Sequence, residues 1–478
     1  MKLRRFLSTG LRRKSPSLPD TKTAAKQASA RCYRGQSLQR DGDIHLQLMK
    51  TPIKNLRWWI AGLVFLSTVI NYVDRQTLAV LSPQLTKELG LTDIQYGWIS
   101  QAFLIPYTAM YIGAGLLLDR YGTKIVFGIA AVWWSLAAML HAAVSSAFGF
   151  GAFRFLLGTA ESANFVGAQK VAAEWFPPKD RGTLNGWVQA GTVTGAIITP
   201  PAVVWLAERY GWRSAFLLTG ALGLVWAVAW FWFYHLPKQH PRISAEELSL
   251  LKGEETIETE NRPVSQSPRL SAFFRFPETW GLMLARIISD PVWWFYLFWL
   301  PKYLTEARGL TKAQMAGLLW IPYLLSDVGS VLGGWLSGKL IARGSSVLES
   351  RKMVMLWSAL VMPIGLLLVW RPPIPLTLAL ISLSLFAHNS WKTNLVTMTV
   401  DIFPRPVIGR VHGIVATGGG IGGAIITPLA GYVIAWFSYT PLLVAMGVLH
   451  PLAYLCLRRL VKGDSPSVGV LKLQEQSQ

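Results

Sequence analysis

The sequence predicts an all-α membrane protein of twelve transmembrane helices in two pseudo-symmetric six-helix bundles. Three observations predict it. Apolar stretches of the ~20 residues that cross a bilayer recur from residue 57 to residue 461. Only 15% of the 478 residues are charged, while 52% are hydrophobic. Soluble chains carry roughly a quarter charged residues, and charge is expensive in lipid. Finally, one pattern of Phe-Pro, glycines and proline occurs twice at a constant offset, which divides the chain into halves.

The spans are expected near 57–82, 96–118, 124–144, 148–173, 184–207, 213–235, 278–304, 312–338, 352–370, 374–400, 409–436 and 440–461. An even number of crossings puts both termini on one side, and the basic residues say which. Presumed inner segments hold Arg120, Lys124, Lys179, Arg181, Lys339, Arg343, Arg351, Lys352, Arg405, Arg410, Arg458, Arg459 and Lys462. Presumed outer loops hold only Lys87, Arg209, Arg213, Lys302, Arg308, Lys312 and Arg371. The excess places the termini in the cytoplasm. The net charge of +21 therefore reflects loop bias, and does not mark a nucleic-acid binder. Two cysteines, Cys32 and Cys456, make neither a disulfide framework nor a metal motif.

The domain order follows. Residues 1–56 are a basic N-terminal segment without an apolar core of signal-peptide length. Met49-Lys-Thr-Pro-Ile-Lys runs straight into the first span, so Met49 reads as the natural start; an organelle transit segment is the other reading. Residues 57–235 form the first bundle, 236–277 a charged, solvated cytoplasmic linker, 278–461 the second bundle and 462–478 a cytoplasmic tail.

The repeat is specific. Glu174-Trp-Phe-Pro leads into span five as Asp401-Ile-Phe-Pro leads into span eleven. In the same register Gly186, Gly191, Gly195 and Pro201 match Gly413, Gly418, Gly422 and Pro428. Such halves are parallel repeats, as in transporters whose site lies between two rocking bundles. Glycines four apart let another helix approach closely, and the proline bends the helix. Simple tight packing explains the same residues without a gating role.

Ionisable residues inside spans are functional hypotheses by default. Span one holds Asn71, Tyr72, Asp74 and Arg75, with Asn71, Tyr72 and Arg75 on one face. Arg75 offers a planar fork suited to a carboxylate. Asp74 is available to pair with it or to titrate. Span four holds Arg154 and Glu161 on one face; Glu161, near mid-depth and without a local partner, is suited to carry a proton. Span seven holds Arg286 and Asp290 at bridging distance, followed by Trp293, Trp294, Tyr296 and Trp299. Span ten holds the polar run His388-Asn389-Ser390-Trp391-Lys392-Thr393-Asn394, in which Lys392 is a candidate second contact for an anion. Span two adds Tyr107. No nucleophile–base set or phosphate loop that would mark an enzyme is found.

The loop Gly115-Leu-Leu-Leu-Asp119-Arg120-Tyr-Gly122-Thr-Lys124 resembles the signature of the major facilitator superfamily. The resemblance implies that Gly115, Asp119, Arg120 and Lys124 hold a cytoplasmic gate shut. In the second copy Gly338 replaces the acid, so the C-terminal half is expected to lack its version of the latch. Asn71-Tyr-Val-Asp-Arg75, Glu161 with Glu174-Trp-Phe-Pro, and Ala387-His388 with Asp401-Ile-Phe-Pro resemble the anion:cation symporters of that superfamily. Asp290-Pro-Val-Trp-Trp-Phe-Tyr-Leu-Phe-Trp-Leu-Pro-Lys-Tyr303 resembles the bacterial hexuronate transporters.

The resemblance implies proton-coupled import of a sugar-acid anion, a hexuronate or hexonate, across a bacterial inner membrane. Arg75 would hold the carboxylate, with Tyr72 and Tyr107 on hydroxyls. Asn71, His388, Trp391, Lys392 and Asn394 complete the expected substrate site. Asp74 and Glu161 would carry protons. A relative's sugar-contacting glutamine in span five is replaced by Thr192, and Lys392 is an added cation. The expected partners are the anion, protons and the lipid bilayer, with no cofactor or nucleic acid, and the chain is expected to be a monomer. Import of another organic anion, aromatic or dicarboxylic, and a non-transporting nutrient sensor remain the alternatives.

Overall fold

The computed structural model describes residues 51–90, 93–252, 269–311, 314 and 318–462. Met49 and the basic segment before it, residues 253–268 of the linker and residues 463–478 of the tail lie outside the described residues. Residues 51–54 and Pro241–Ser244 belong to a separate small unit. The helices belong to the main one, Asn55–His240 with Ala245–Gln478.

The first half runs through α1 (Leu56–Leu89), α2 (Asp93–Tyr121), α3 (Thr123–Leu140), α4 (Ala147–Trp175), α5 (Pro178–Tyr210) and α6 (Trp212–Phe233). The second runs through α7 (Pro277–Lys302), α8 (Trp320–Ala342), α9 (Val347–Val361), α10 (Ile374–Ile402), α11 (Ile408–Trp436) and α12 (Thr440–Leu460). A 3₁₀ run, Met362–Trp370, extends α9.

Local chemistry sets the ends. Pro178 and Pro277 open α5 and α7, where a missing N–H costs nothing. Ser146 and Ser346 cap α4 and α9 by accepting from the N–H groups of Gly149 and Glu349. Gly122 (φ 84°) and Gly211 (φ 82°) turn the chain in one residue between α2 and α3 and between α5 and α6.

Among the described residues, nine helices are long and apolar enough to cross a membrane. The three others, α4, α7 and α8, each carry interior polar groups: Arg154 and Glu161, Arg286 and Asp290, and Asp327 with its glycines and serines. The arrangement is consistent with the expected twelve spans. Large apolar side chains such as Phe148, Val228, Trp232 and Leu360 point outward, as lipid-facing positions require.

Within the first half α2 packs on α4, α1 on α5 and α3 on α6. Within the second α8 packs on α10 and α7 on α11 and α12. The halves meet along α2–α11 and α5–α8. These two seams repeat each other. A Cβ on Gly115 would overlap the Gly409 carbonyl oxygen, and one on Gly334 would overlap that of Gly182. The reciprocal Cβ atoms would meet Gly115 O at 2.5 Å and Gly334 O at 2.7 Å. The matched glycines thus let backbone touch backbone between halves.

One described part of the linker packs on the bundle. Its short helix Ala245–Lys252 brings Glu247 to the start of α1, where the carboxylate accepts from the N–H groups of Leu56 and Arg57, each at 2.9 Å. A negative side chain at a helix N-terminus satisfies unpaired donors and the helix dipole together.

Candidate functional site

The interior of the first half is built around Arg75. Its Nε and Nη2 donate to Glu161 Oε2 at 3.1 and 2.9 Å, and Nη2 also donates to Asn71 Oδ1 at 3.2 Å. Three rings enclose the guanidinium: Tyr72, Phe103 and Tyr107, at 4.7, 4.9 and 4.6 Å from centroid to Cζ. Such cation–π contacts are worth about 0.5–2 kcal/mol each. The Tyr111 hydroxyl donates to that of Tyr107 at 2.8 Å and holds the ring in place. Glu161 is fully buried, while Arg75 keeps 21% of its side chain exposed.

So Glu161 does have a charge partner, but 86 positions away in sequence, beyond what helical spacing reveals. Asp74, also open to pairing with Arg75 on the sequence, turns elsewhere. It is buried near Thr219, within electrostatic range of Glu161 and Arg154. Arg154 donates through both Nη atoms to the Arg75 carbonyl at 3.1 Å, bracing α4 against α1.

The second half holds another polar group. Arg286 and Asp290 form their expected bridge, with Nε and Nη2 each 2.9 Å from Oδ2. Lys392 Nζ lies 5.4 Å from the Trp293 ring centroid, within electrostatic range of Asp290, Arg286 and Asp327. The other members of the run in α10 go elsewhere. Trp391 is fully buried, donates to Ser289 Oγ and packs in the core with Met355, Leu395 and Tyr454. Asn394 donates to the carbonyls of Gly333 and Ser390. His388 is fully buried, stacks on Trp293 and meets His450 at 3.1 Å. Hence Arg75, Asn71, Tyr72, Tyr107 and Glu161 form one cluster and Lys392 belongs to the second. Trp391 and Asn394 serve helix packing. Thr192 donates to the Gln189 carbonyl of its own helix.

Asp327 escaped the sequence reading. It comes from α8 and reaches electrostatic range of both Lys392 and Tyr72, so it stands between the two clusters. An acid inside an expected span was the signal available for it. Lys170 in α4 gave the same signal.

Lys170 acts where the seams close. Asp119 Oδ1 accepts from Lys170 Nζ at 3.0 Å and from the Gly409 N–H at 2.9 Å. Oδ2 accepts from the Arg410 N–H at 2.9 Å. The fully buried carboxylate thus sits on the N-terminus of α11, from the other half. Gly115 and Asp119 are brought to the partner half, whereas two other residues of the signature are not. Arg120 is exposed over Tyr121, and Lys124 meets His235 at 3.0 Å.

A second ionic link lies beside Gly338, where none was expected. Asp401 Oδ1 accepts from Arg181 Nη1 at 3.1 Å, and Oδ2 from Arg351 Nε at 3.0 Å. Arg351 also donates to the Pro178 carbonyl at 2.6 Å. The acid of this link comes from the end of α10, and glycine at 338 leaves room for the Lys179 carbonyl. Replacing Asp401 by Asn would remove the carboxylate shared by two buried guanidinium groups, a loss of about 3–5 kcal/mol. The expected result is faster amide exchange over residues 179–186 and a lower Tm. Unchanged exchange there would remove Asp401 from the seam's support.

The comparisons agree with this geometry. The Major Facilitator Superfamily profile matches residues 64–348 and 340–477. The chain belongs to this superfamily. Within the superfamily, it is 31% identical over 424 residues to the hexuronate transporter of Escherichia coli K12, covering 87% of this chain and 96% of that one. It is 35% identical over 315 residues to the galacturonate transporter of Dickeya chrysanthemi, covering 65% of this chain and 90% of that one. Among solved superfamily structures, a proton:xylose symporter superposes with a TM-score of 0.69 at 15% identity, covering 88% of this chain and 99% of that one. The facilitator fold expected from the glycine repeat and the Asp119 signature is therefore the fold adopted, and the chain is a multi-pass membrane transporter.

Proposed function

We propose that the chain imports a sugar-acid monoanion, a hexuronate or hexonate, together with protons across a bacterial inner membrane, with both termini cytoplasmic. One observation carries the reading: the guanidinium of Arg75, caged by three rings, is held by the carboxylate of Glu161. A substrate carboxylate wants that same guanidinium edge. Two carboxylates compete for it, and a proton on Glu161 removes the internal competitor. Proton and anion therefore enter together. The relatives that transport hexuronate and galacturonate support the substrate class.

Tyr72 and Tyr107, beside the same cation, are placed to meet sugar hydroxyls and the apolar sugar face. Asp74, buried one residue from Arg75, is the second proton carrier. The two glycine seams, tied by Asp119 and Asp401, close one end of the site. The basic bias of the loops makes that end cytoplasmic. Alternating access then requires these seams to part while the opposite end seals. Substrate drives this only through a difference in affinity between the two states.

Uptake of labelled galacturonate into proteoliposomes tests the proposal. An acidic exterior should drive accumulation above equilibrium, and a protonophore should abolish it. Uptake indifferent to the pH gradient would end the proton coupling, and no uptake of any sugar acid would end the substrate class.

A further inference from the structure

We infer that Asp327 and Lys392 form a charge-balanced subsite that selects sugar acids with one carboxylate and excludes those with two. This rests on the proposed sugar-acid transport and specifies its substrate.

The placement comes first. Asp327 lies on α8 one turn before Val331, whose backbone packs against Gly186 of α5 at the closed seam. Residues four apart share a helix face, so Asp327 stands directly beyond the closed end. It is 8% exposed, and its Oδ1 has no hydrogen-bond partner. A buried carboxylate oxygen left unpaired is costly unless a donor arrives. The donors of this ligand class are hydroxyls. Tyr72, from the opposite half, is within electrostatic range of Asp327, so a ligand whose carboxylate sits on Arg75 extends toward this acid.

The charge count comes second. On its own, Lys392 would read as a receptor for a second carboxylate. However, Asp327 and Asp290 both lie within its electrostatic range. Asp290 is already bridged to Arg286, and Asp327 balances Lys392. Arg75 is likewise balanced by Glu161. Among the described residues of the two clusters, Arg286, Lys392 and Arg75 each have an acid to balance them, so a second substrate carboxylate would face Asp327. Lys392 lies beside Asp327, whose unpaired Oδ1 is placed to accept a hydroxyl. The Trp293 ring, contacted by Lys392 and stacked on His388, fixes the ammonium from behind.

The test is competition by galacturonate, galactonate and the dianion galactarate, measured on the full chain in proteoliposomes with galacturonate as the labelled ligand. The unsubstituted chain should favour either monoanion over galactarate by at least tenfold. Asp327→Asn keeps a hydrogen-bonding group but removes the charge, and should shrink that ratio at least fivefold by improving galactarate binding. Equal inhibition by monoanion and dianion in the unsubstituted chain would overturn the subsite without needing any variant, and so would an unchanged ratio in Asp327→Asn. Failure of all three sugar acids to compete would instead overturn the proposed function.

Discussion

Arg75→Lys should lower sugar-acid uptake at least a hundredfold while leaving the protein folded. The guanidinium is a planar fork whose Nε and Nη2 both face Glu161. Lysine keeps the charge but offers a point cation that cannot present two donors in one plane. A charge-assisted bond is worth about 1.5–3 kcal/mol, so losing one, with weaker contact to the rings, removes about 3 kcal/mol, or roughly a hundredfold in affinity. Initial-rate uptake over a substrate series, beside a thermal melt, checks this. Uptake above half of the unsubstituted rate would end the role of Arg75 in holding the carboxylate.

Glu161→Gln should separate binding from coupling. Glutamine mimics the protonated acid, so it no longer competes with substrate for Arg75. Substrate binding should persist and lose its dependence on pH. The sign follows from the competition: acid favours protonated Glu161 and so favours the anion, and uptake by the unsubstituted chain should rise as external pH falls. In the variant, exchange of labelled for unlabelled substrate should continue, while accumulation against a gradient falls to background. Accumulation driven by a pH gradient in Glu161→Gln would assign the coupling elsewhere, with Asp74 the next group to test.

Much of the architecture was legible because its signals are local. Apolar runs of span length place the helices along the chain. Of the matched glycines, Gly186 and Gly413 lie at the seams, against Val331 and Ile112 of the other half, while Gly191, Gly195, Gly418 and Gly422 pack within their own half. The site was legible where its members lie on one turn of one helix, as Asn71, Tyr72 and Arg75 do. Periodicity could not say that Trp391 and Asn394 face the core of their own half, because α10 is buried on nearly every side. Arg181, Arg351 and Asp401 sit at helix ends, where a charge is ordinary, so nothing local marked them as a cluster.

The sequence by itself determined that this is a helical membrane protein made of two related halves, with cations and carboxylates placed inside it at an energetic cost. It also singled out Arg75 and Glu161 as the residues to watch. Only the tertiary structure decided which charges meet. Glu161 neutralises Arg75, Asp119 caps a helix of the other half, Asp401 joins Arg181 to Arg351, and Asp327 stands near Lys392. The physical reason is that span-forming apolarity and glycine spacing are properties of consecutive residues. Charge pairing in a low-dielectric interior depends instead on distances across helices, which sequence separation does not encode.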